Sequence, residues 1–190
     1  MRLKLIGMPA LAVLMMSCSQ NGPSRLGRQV LDDLRRPTIE KADSYLAARP
    51  VTITDFSCPR SAGGKHDFFS EGDYWWPDPE NPAGPYVRRD GQSNPDNFSS
   101  HREAMMRLSE ITATLTSAWR LTGERRYADR ALAHLRAWFI DDATMMSPNM
   151  LYAQAISGVA TGRGIGLIDA YHLVEVARSV QVLSERKGMA

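Results

Sequence analysis

The feature that most constrains the fold is the run "HREAMMRLSEITATLTSAWRLTGERRYADRALAHLRAWF" at residues 101–139. Its apolar residues recur at three- and four-residue steps in two sets, each of which falls on one helical face. Gly123 separates the two sets, and a glycine in this position typically ends a helix. The run therefore predicts a helix hairpin with a short turn at "TGE". Two antiparallel helices cannot bury both of their apolar faces alone, so further helices should pack beside them.

Amphipathic patterns on both sides of the hairpin supply such helices. Residues 24–48 contain a helical pattern that Pro37 should interrupt, because proline is well placed to begin a second helix there. Another pattern runs over residues 166–180, and the one alternating β-branched run is "VTITDF" at residues 51–56. We therefore expect an all-α fold, namely an incomplete α/α toroid of stacked antiparallel helix hairpins with long loops. An irregular helical domain is the alternative that periodicity leaves open.

The first 18 residues predict export from a bacterial cytoplasm. They have a basic start, an apolar stretch at residues 5–16 and small residues at Ser17 and Cys18, which is the pattern of a signal peptide. The apolar stretch is too short to span a bilayer as a stable helix. "LMMSC" also resembles a lipobox, in which Cys18 would be lipidated, so a periplasmic protein and an outer-membrane lipoprotein are both open.

The charge balance argues against a nucleic-acid partner. Loss of the signal removes Arg2 and Lys4, which reduces the 23 basic residues to 21 against 21 acidic residues. A nearly neutral chain lacks the field that attracts nucleic acid in bulk. Only Cys58 remains besides Cys18, and the four histidines lack metal-ligand spacing, so neither a disulfide framework nor a metal site is expected.

The segment "SEGDYWWPDPENPAGPYVRRDGQSNPDN", residues 70–97, can form neither a regular helix nor a regular strand. Loops of this length in a compact domain usually serve a site. Aromatic rings contact the apolar faces of sugar rings, whereas amides and guanidinium groups bind hydroxyls and carboxylates. The segment therefore favours carbohydrate binding. The alternative is that Trp75 and Trp76 only fix the loop to the helices.

Two blocks of sequence resemble the alginate lyase family of polysaccharide lyases. They are "RSAGGKHDFFSEGDYWWPDPENPAGPYVRRDGQSNPDNF" and "SPNMLYAQAISGVATGRGIGLIDAYHL", in the order that the family has them. The resemblance runs from about Leu26 to the C-terminus and makes residues 19–190 the N-terminal part of a toroid domain. It implies an exported enzyme that cleaves an anionic, 1,4-linked polyuronate, alginate or glucuronan, by β-elimination without a cofactor.

The same resemblance indicates which residues should act. In the family the second block is followed by an Asn-His pair and later by an Arg and a Tyr, and these catalytic groups are expected beyond Ala190, in a chain truncated before them. From residue type alone, Arg88, Arg89 and Arg163 should bind uronate carboxylates, the two tryptophans should stack on sugar rings, and the others should provide polar contacts. The expected substrate-binding residues are Tyr74, Trp75, Trp76, Arg88, Arg89, Asn97, His101, Arg102, Asn149, Gln154 and Arg163.

Two other functions fit the sequence. One is a toroid glycoside hydrolase that draws an acid and a base from Glu71, Asp73, Asp78 and Asp96. The other is a non-catalytic lipoprotein that binds an anionic polysaccharide. The preferred uronate, endo or exo action and the oligomeric state are left open.

Overall fold

A computed structural model describes residues 24–185 of the chain. The predicted signal peptide at residues 1–18, with Cys18, lies outside the described residues. Four α-helices are found in the described part: α1 (Arg25–Tyr45), α2 (Ser100–Thr122), α3 (Arg125–Phe139) and α4 (Leu173–Glu185). Two 3-10 helices span Ile53–Asp55 and Gly164–His172. No helix in this part is long and apolar enough to cross a membrane.

Four short strands form two small sheets. Strand β1 (Phe69–Glu71) pairs in parallel with β4 (Tyr152–Ala155), and β2 (Trp75–Trp76) pairs antiparallel with β3 (Val87–Arg88). The predicted all-α toroid is therefore wrong, because the fold is mixed α/β. The long segments between the helices contain many glycines and prolines, and their backbone N–H and C=O groups still need hydrogen-bond partners. They find some of these partners by pairing as short β-strands of two to four residues. Ladders this short carry no readable hydrophobic period.

The predicted helix hairpin is confirmed by α2 and α3. Gly123 lies between them with φ 76°, a left-handed conformation that glycine adopts without a Cβ clash. Its N–H donates to the carbonyl of Trp119 at 2.7 Å and so satisfies one of the last carbonyls of α2. Buried apolar side chains follow α2 from Ala104 to Trp119, as the periodicity predicts.

Three other local predictions differ from the structure. Helix α1 continues through Pro37 instead of breaking, since Pro37 is exposed and forfeits only one backbone hydrogen bond. The "VTITDF" run contains a 3-10 turn instead of a strand, because the Thr52 and Asp55 side chains form a capping box around it. The pattern at residues 166–180 begins as the 3-10 helix and becomes α-helical only at Leu173.

The chain divides into two compact units. Within the described residues the first comprises 24–49, 109–134 and 175–185, and the second comprises 50–108 and 135–174. Buried Leu115 and Tyr127 belong to the first unit, where the Tyr127 hydroxyl donates to Asp43 at 2.8 Å. Both sheets and all eleven predicted substrate-binding residues belong to the second unit. The candidate site below lies entirely within that unit.

Candidate functional site

The parallel pairing of β1 and β4 places Ser70 beside Gln154. The Gln154 N–H donates to Ser70 Oγ at 2.8 Å, and the Ser70 hydroxyl donates to Asp169 Oδ2. All three side chains are buried. Gln154 Nε2 lies 3.4 Å from both Asp169 oxygens, so its amide also faces that carboxylate. We call Ser70, Arg102, Gln154, Arg163 and Asp169 the buried polar cluster.

Arg102 supplies the positive charge that the buried Asp169 carboxylate needs. Its Nε lies 3.2 Å from Asp169 Oδ1, an ion pair without hydrogen-bond alignment. Its Nη1 donates to Asp73 at 2.9 Å, and its Nη2 lies 3.4 Å from the carbonyl of Glu71. A buried charge is retained only when it is paired and hydrogen-bonded. Arg102 therefore contacts three acidic residues, and each of its three guanidinium nitrogens already has a partner within the protein.

Gln154 is held in a strained backbone conformation. Among the described residues it is the one non-glycine residue with positive φ, at 56°. Such residues cost on the order of 1–3 kcal/mol and persist where surrounding contacts fix them, frequently at functional sites. Arg163 provides those contacts, because its Nε donates to the Gln154 carbonyl at 2.6 Å and its Nη2 approaches Gln154 Oε1 at 3.3 Å.

The glycines of the "GRGIGL" block allow the chain to approach β4 closely. A Cβ on Gly166 would lie 2.6 Å from the Ala153 Cβ and 2.9 Å from its carbonyl oxygen. A Cβ on Gly162 would meet the carbonyl oxygen of Leu151. This approach lets the Arg163 N–H donate to Ala153 at 3.0 Å and directs its side chain onto Gln154. The block therefore positions an arginine; it is not a phosphate loop.

Gly72 brings Arg163 close to the segment at residues 70–97, which we call the aromatic loop. A Cβ at Gly72 would lie 2.7 Å from Arg163 Nη2 and 2.8 Å from Cδ1 of the Trp75 ring. The guanidinium and the half-buried indole therefore both contact the Gly72 backbone. The Asn97 amide donates to the Gly72 carbonyl at 2.8 Å and fixes this point from the other end of the loop. A flat apolar surface and a cation next to each other are what a charged sugar requires.

Glu71 is bound by two donors from Arg60 and one from the backbone. Arg60 Nε and Nη2 donate to the two carboxylate oxygens at 2.7 and 2.6 Å, and the Phe98 N–H donates at 2.7 Å. The hydrogen bond with Glu71 raises the pKa of the Arg60 guanidinium above its ordinary value. Both oxygens of the Glu71 carboxyl group are therefore occupied, and its contact with Arg60 is bidentate.

The β2–β3 hairpin presents the remaining aromatic and basic residues. The Arg89 guanidinium lies 5.1 Å from the centroid of the Trp76 ring, a cation–π contact, and Trp76 Nε1 donates to the Gln92 carbonyl at 2.8 Å. Tyr74 is exposed. Arg88 extends into solvent beside Asp90, at 3.0 Å.

His101 and Asn149, both predicted to contact substrate, bond to backbone groups instead. The Phe69 N–H donates to His101 Nδ1 at 3.0 Å, so the proton is on Nε2, which faces the Phe56 carbonyl at 3.4 Å. Burial lowers the pKa of His101, which keeps the ring neutral. Asn149 Oδ1 accepts the N–H of Leu151 at 3.1 Å.

The structure thus brings together Trp75, Arg102, Gln154 and Arg163 from the predicted set. Trp75 borders the buried polar cluster at Gly72, and the other predicted residues lie outside it: Tyr74, Trp76, Arg88, Arg89, Asn97, His101 and Asn149. Sequence reasoning missed Ser70 and Asp169 as members, although each lies in one of the two quoted blocks.

His172 is another residue near the cluster that was not among the predicted site residues. Burial is the largest influence on the His172 ring and lowers its pKa. The Asp169 carboxylate raises that pKa and the Arg102 guanidinium lowers it, so the ring lies close enough to this ion pair to be affected by both charges. Its neighbour Tyr171 is exposed and packs edge-on against it, with ring centroids 5.6 Å apart. Within residues 24–185, no group of three or more His, Cys, Asp or Glu is placed to hold a metal ion.

Comparison with known proteins identifies the class. The family model described as alginate lyase matches residues 52–190, and the chain belongs to that family. Among solved structures it is similar to an alginate lyase from Bacteroides ovatus, with a TM-score of 0.72 and 35% identity. That match covers 82% of this chain and 42% of the other, so this chain spans less than half of its relative's length. The comparison with curated proteins found no match.

Proposed function

We propose that the protein takes part in the cleavage of a 1,4-linked polyuronate, alginate or glucuronan, by β-elimination. Its family and its similarity to an alginate lyase support a polysaccharide lyase. The observation that carries the proposal is the arrangement at Gly72, where Arg163 and the Trp75 ring contact the same short piece of backbone. An anionic sugar can place its ring on the indole and its carboxylate on the guanidinium.

Elimination sets the demands on such a site. A base removes the proton at C5, the C5–C4 bond gains double-bond character, and the C4–O bond breaks with its electron pair leaving on oxygen. The carboxylate on C5 takes up negative charge as the proton leaves, so it must be neutralised by cations or hydrogen-bond donors. Arg163 suits this task, because Nε and Nη2 are fixed on Gln154 while Nη1 has no partner among the described residues.

We assign substrate binding and orientation to the described residues. Gln154 and Asp169 hold Arg163 and Arg102 in place, which keeps the cations pre-oriented. Among the groups that the family resemblance implies, we assign neutralisation of the substrate carboxylate to an Asn-His pair and proton transfer to a Tyr.

Hydrolysis is less well supported than elimination. A hydrolase needs one carboxylic acid that is protonated at working pH. Glu71 accepts three hydrogen bonds, and Asp73 is paired with Arg102 at 2.9 Å. Both carboxyl groups are therefore already bound by donors of the protein.

We also propose that the protein is exported and anchored through Cys18, on the sequence pattern described above. The test is to express the protein and its Cys18→Ala variant in a bacterium and to separate membrane from soluble periplasmic material. Anchoring predicts wild type in the membrane fraction and the variant in the soluble one. The same distribution for both would refute the anchor.

The proposed activity is tested with alginate, glucuronan and a neutral 1,4-glucan as separate substrates. β-Elimination creates an unsaturated uronate that absorbs in the ultraviolet, whereas hydrolysis creates reducing ends without that absorbance. Absorbance with a polyuronate and none with the neutral glucan supports the proposal. Reducing ends without absorbance identify a hydrolase, and binding without either product identifies a binding protein.

A further inference from the structure

Strands β1 and β4 lose their regular register where they meet the buried polar cluster. From Phe69 to Glu71 strand β1 advances by two residues, whereas β4 advances by three over the same length, from Tyr152 to Ala155. Strand β4 therefore carries one extra residue, which makes a β-bulge. Bulges are rare in parallel pairs, and they are over-represented beside active sites, where they change the direction of a side chain. The bulge is thus a feature that the fold alone does not require.

Gln154 lies within the bulge, and both of its backbone polar groups are bonded to side chains. Its N–H donates to Ser70 Oγ at 2.8 Å, and its carbonyl accepts from Arg163 Nε at 2.6 Å. Its φ of 56° is a left-handed conformation, which persists in a residue with a Cβ only where surrounding contacts fix it. The Ser70 hydroxyl is one of these contacts, so it helps to keep the Gln154 carbonyl directed at Arg163.

Asp169 fixes the direction of the Ser70 hydroxyl. Ser70 is fully buried, and its O–H donates to Asp169 Oδ2. Because the single proton of the hydroxyl is directed to the carboxylate, a lone pair of Oγ is left to accept the Gln154 N–H. Replacing Ser70 by Ala would leave this N–H without its acceptor and would release the strained peptide. The Gln154 carbonyl would then turn away from Arg163.

We propose that Ser70 is a positioning residue that sets the place of the Arg163 guanidinium through the bulge at Gln154. Asp169 holds the Ser70 hydroxyl, the hydroxyl holds the Gln154 N–H, and the Gln154 carbonyl holds Arg163 Nε. In this role Ser70 acts through Arg163 and has no contact of its own with the substrate. Its effect on polyuronate binding rests on the function proposed above, whereas its effect on Arg163 does not.

The Arg163 Nε–H provides a readout that needs no substrate. In isotope-labelled protein its NMR signal is identified by its absence from Arg163→Lys, and its rate of exchange with water is measured. The signal of the exposed Arg35, identified in Arg35→Lys, gives the rate for a free guanidinium. Arg163 should exchange several-fold more slowly than Arg35, and Ser70→Ala should remove most of that difference. Equal rates in the wild type, or unchanged slow exchange in Ser70→Ala, overturn the proposal.

The matched control is Ser117→Ala, which removes a buried hydroxyl that has no hydrogen-bond partner among residues 24–185. It should leave the exchange at Arg163 unchanged, and a several-fold increase would show that loss of any buried hydroxyl has this effect. If Ser70→Ala does not fold, Ser70→Cys replaces it, because a thiol occupies nearly the same space as a weaker donor and acceptor. Ser70→Cys should also speed the exchange, and wild-type exchange in this variant overturns the proposal.

Polyuronate binding shows whether Ser70 acts through Arg163. In affinity electrophoresis with alginate or glucuronan, Ser70→Ala should raise the dissociation constant about fivefold, the usual effect of losing one neutral hydrogen bond. In the Arg163→Lys background the same change should add almost nothing, because the two residues serve one contact. A fivefold loss in both backgrounds overturns the proposal. If the wild type binds neither polymer, the function proposed above fails, and the exchange at Arg163 alone decides the role of Ser70.

Discussion

The carboxylate of Glu71 and the guanidinium of Arg60 meet at two points, with N–O distances of 2.7 and 2.6 Å, although the Glu71 side chain is only 4% exposed. Arg60 reaches it from the segment before β1 and also contacts the Asp96 carbonyl at 3.2 Å. One ion pair therefore ties β1 to both ends of the aromatic loop.

Replacing Glu71 by Gln should lower the free energy of unfolding by about 1–3 kcal/mol, because it leaves Arg60 without its anionic partner. Urea denaturation followed by tryptophan fluorescence measures the loss. The matched control is Asp90→Asn, which breaks the exposed pair with Arg88 and should change stability by less than about 0.5 kcal/mol. Equal effects from the two variants would contradict a structural role for the buried pair.

Gly166→Ala should destabilise the fold by about 1–3 kcal/mol, because its Cβ would press on Ala153 at 2.6 Å. Gly164→Ala is the control two residues away, where an added Cβ meets nothing within 4 Å. Thermal unfolding of the two variants provides the comparison. We expect a clear drop in Tm for the first and almost none for the second; a reversed order would show that β4 and the 3-10 helix are less closely packed.

Stability should fall as pH falls below neutrality, because burial lowers the pKa of both His101 and His172. Above the ordinary pKa of about 6.5 both rings are neutral in either state, and their contribution is intact. Below it the unfolded chain binds protons that the folded chain does not, so the free energy of unfolding decreases. The double variant His101→Gln and His172→Gln should show a shallower slope between about pH 7.5 and 5.5 in urea titrations. A slope equal to that of the wild type would mean that neither ring is held neutral.

Arg163→Lys should weaken polyuronate binding more than Arg35→Lys does. Lysine keeps the charge but cannot bind the Gln154 carbonyl and side chain while also meeting a carboxylate, since it lacks the planar fork. We expect about a tenfold rise in KM or in the dissociation constant for alginate or glucuronan. Affinity electrophoresis in a polyuronate gel measures this even without turnover. Identical mobility of the two variants in the gel would remove Arg163 from the binding site.

The helices could be predicted from the sequence, whereas the short strands could not. The aromatic loop could also be recognised, but not the tertiary contacts that hold it in place. Apolar spacing located α2 and α3 because a pattern of several turns repeats often enough to be read. The β1–β4 pair joins short segments far apart in the chain, so nothing local indicates it. For the same reason Ser70 and Asp169 were missed, since their partnership exists only after those strands pair. Asn97 and His101 were noticed for their chemistry, but their hydrogen bonds to backbone groups depend on tertiary contacts that composition does not reveal.

The pairing of β1 with β4 also bears on the order of folding. Gln154 reaches Ser70 across 84 positions of sequence, whereas the helix hairpin forms from neighbouring residues. Contacts that close long loops form slowly, because the entropy of closure is lost before the contacts are made. During synthesis the aromatic loop and α2 leave the ribosome well before β4 does. The guanidinium of Arg163 therefore reaches the Trp75 ring late, and a chain whose hairpin has already folded still lacks the surface on which these two side chains meet.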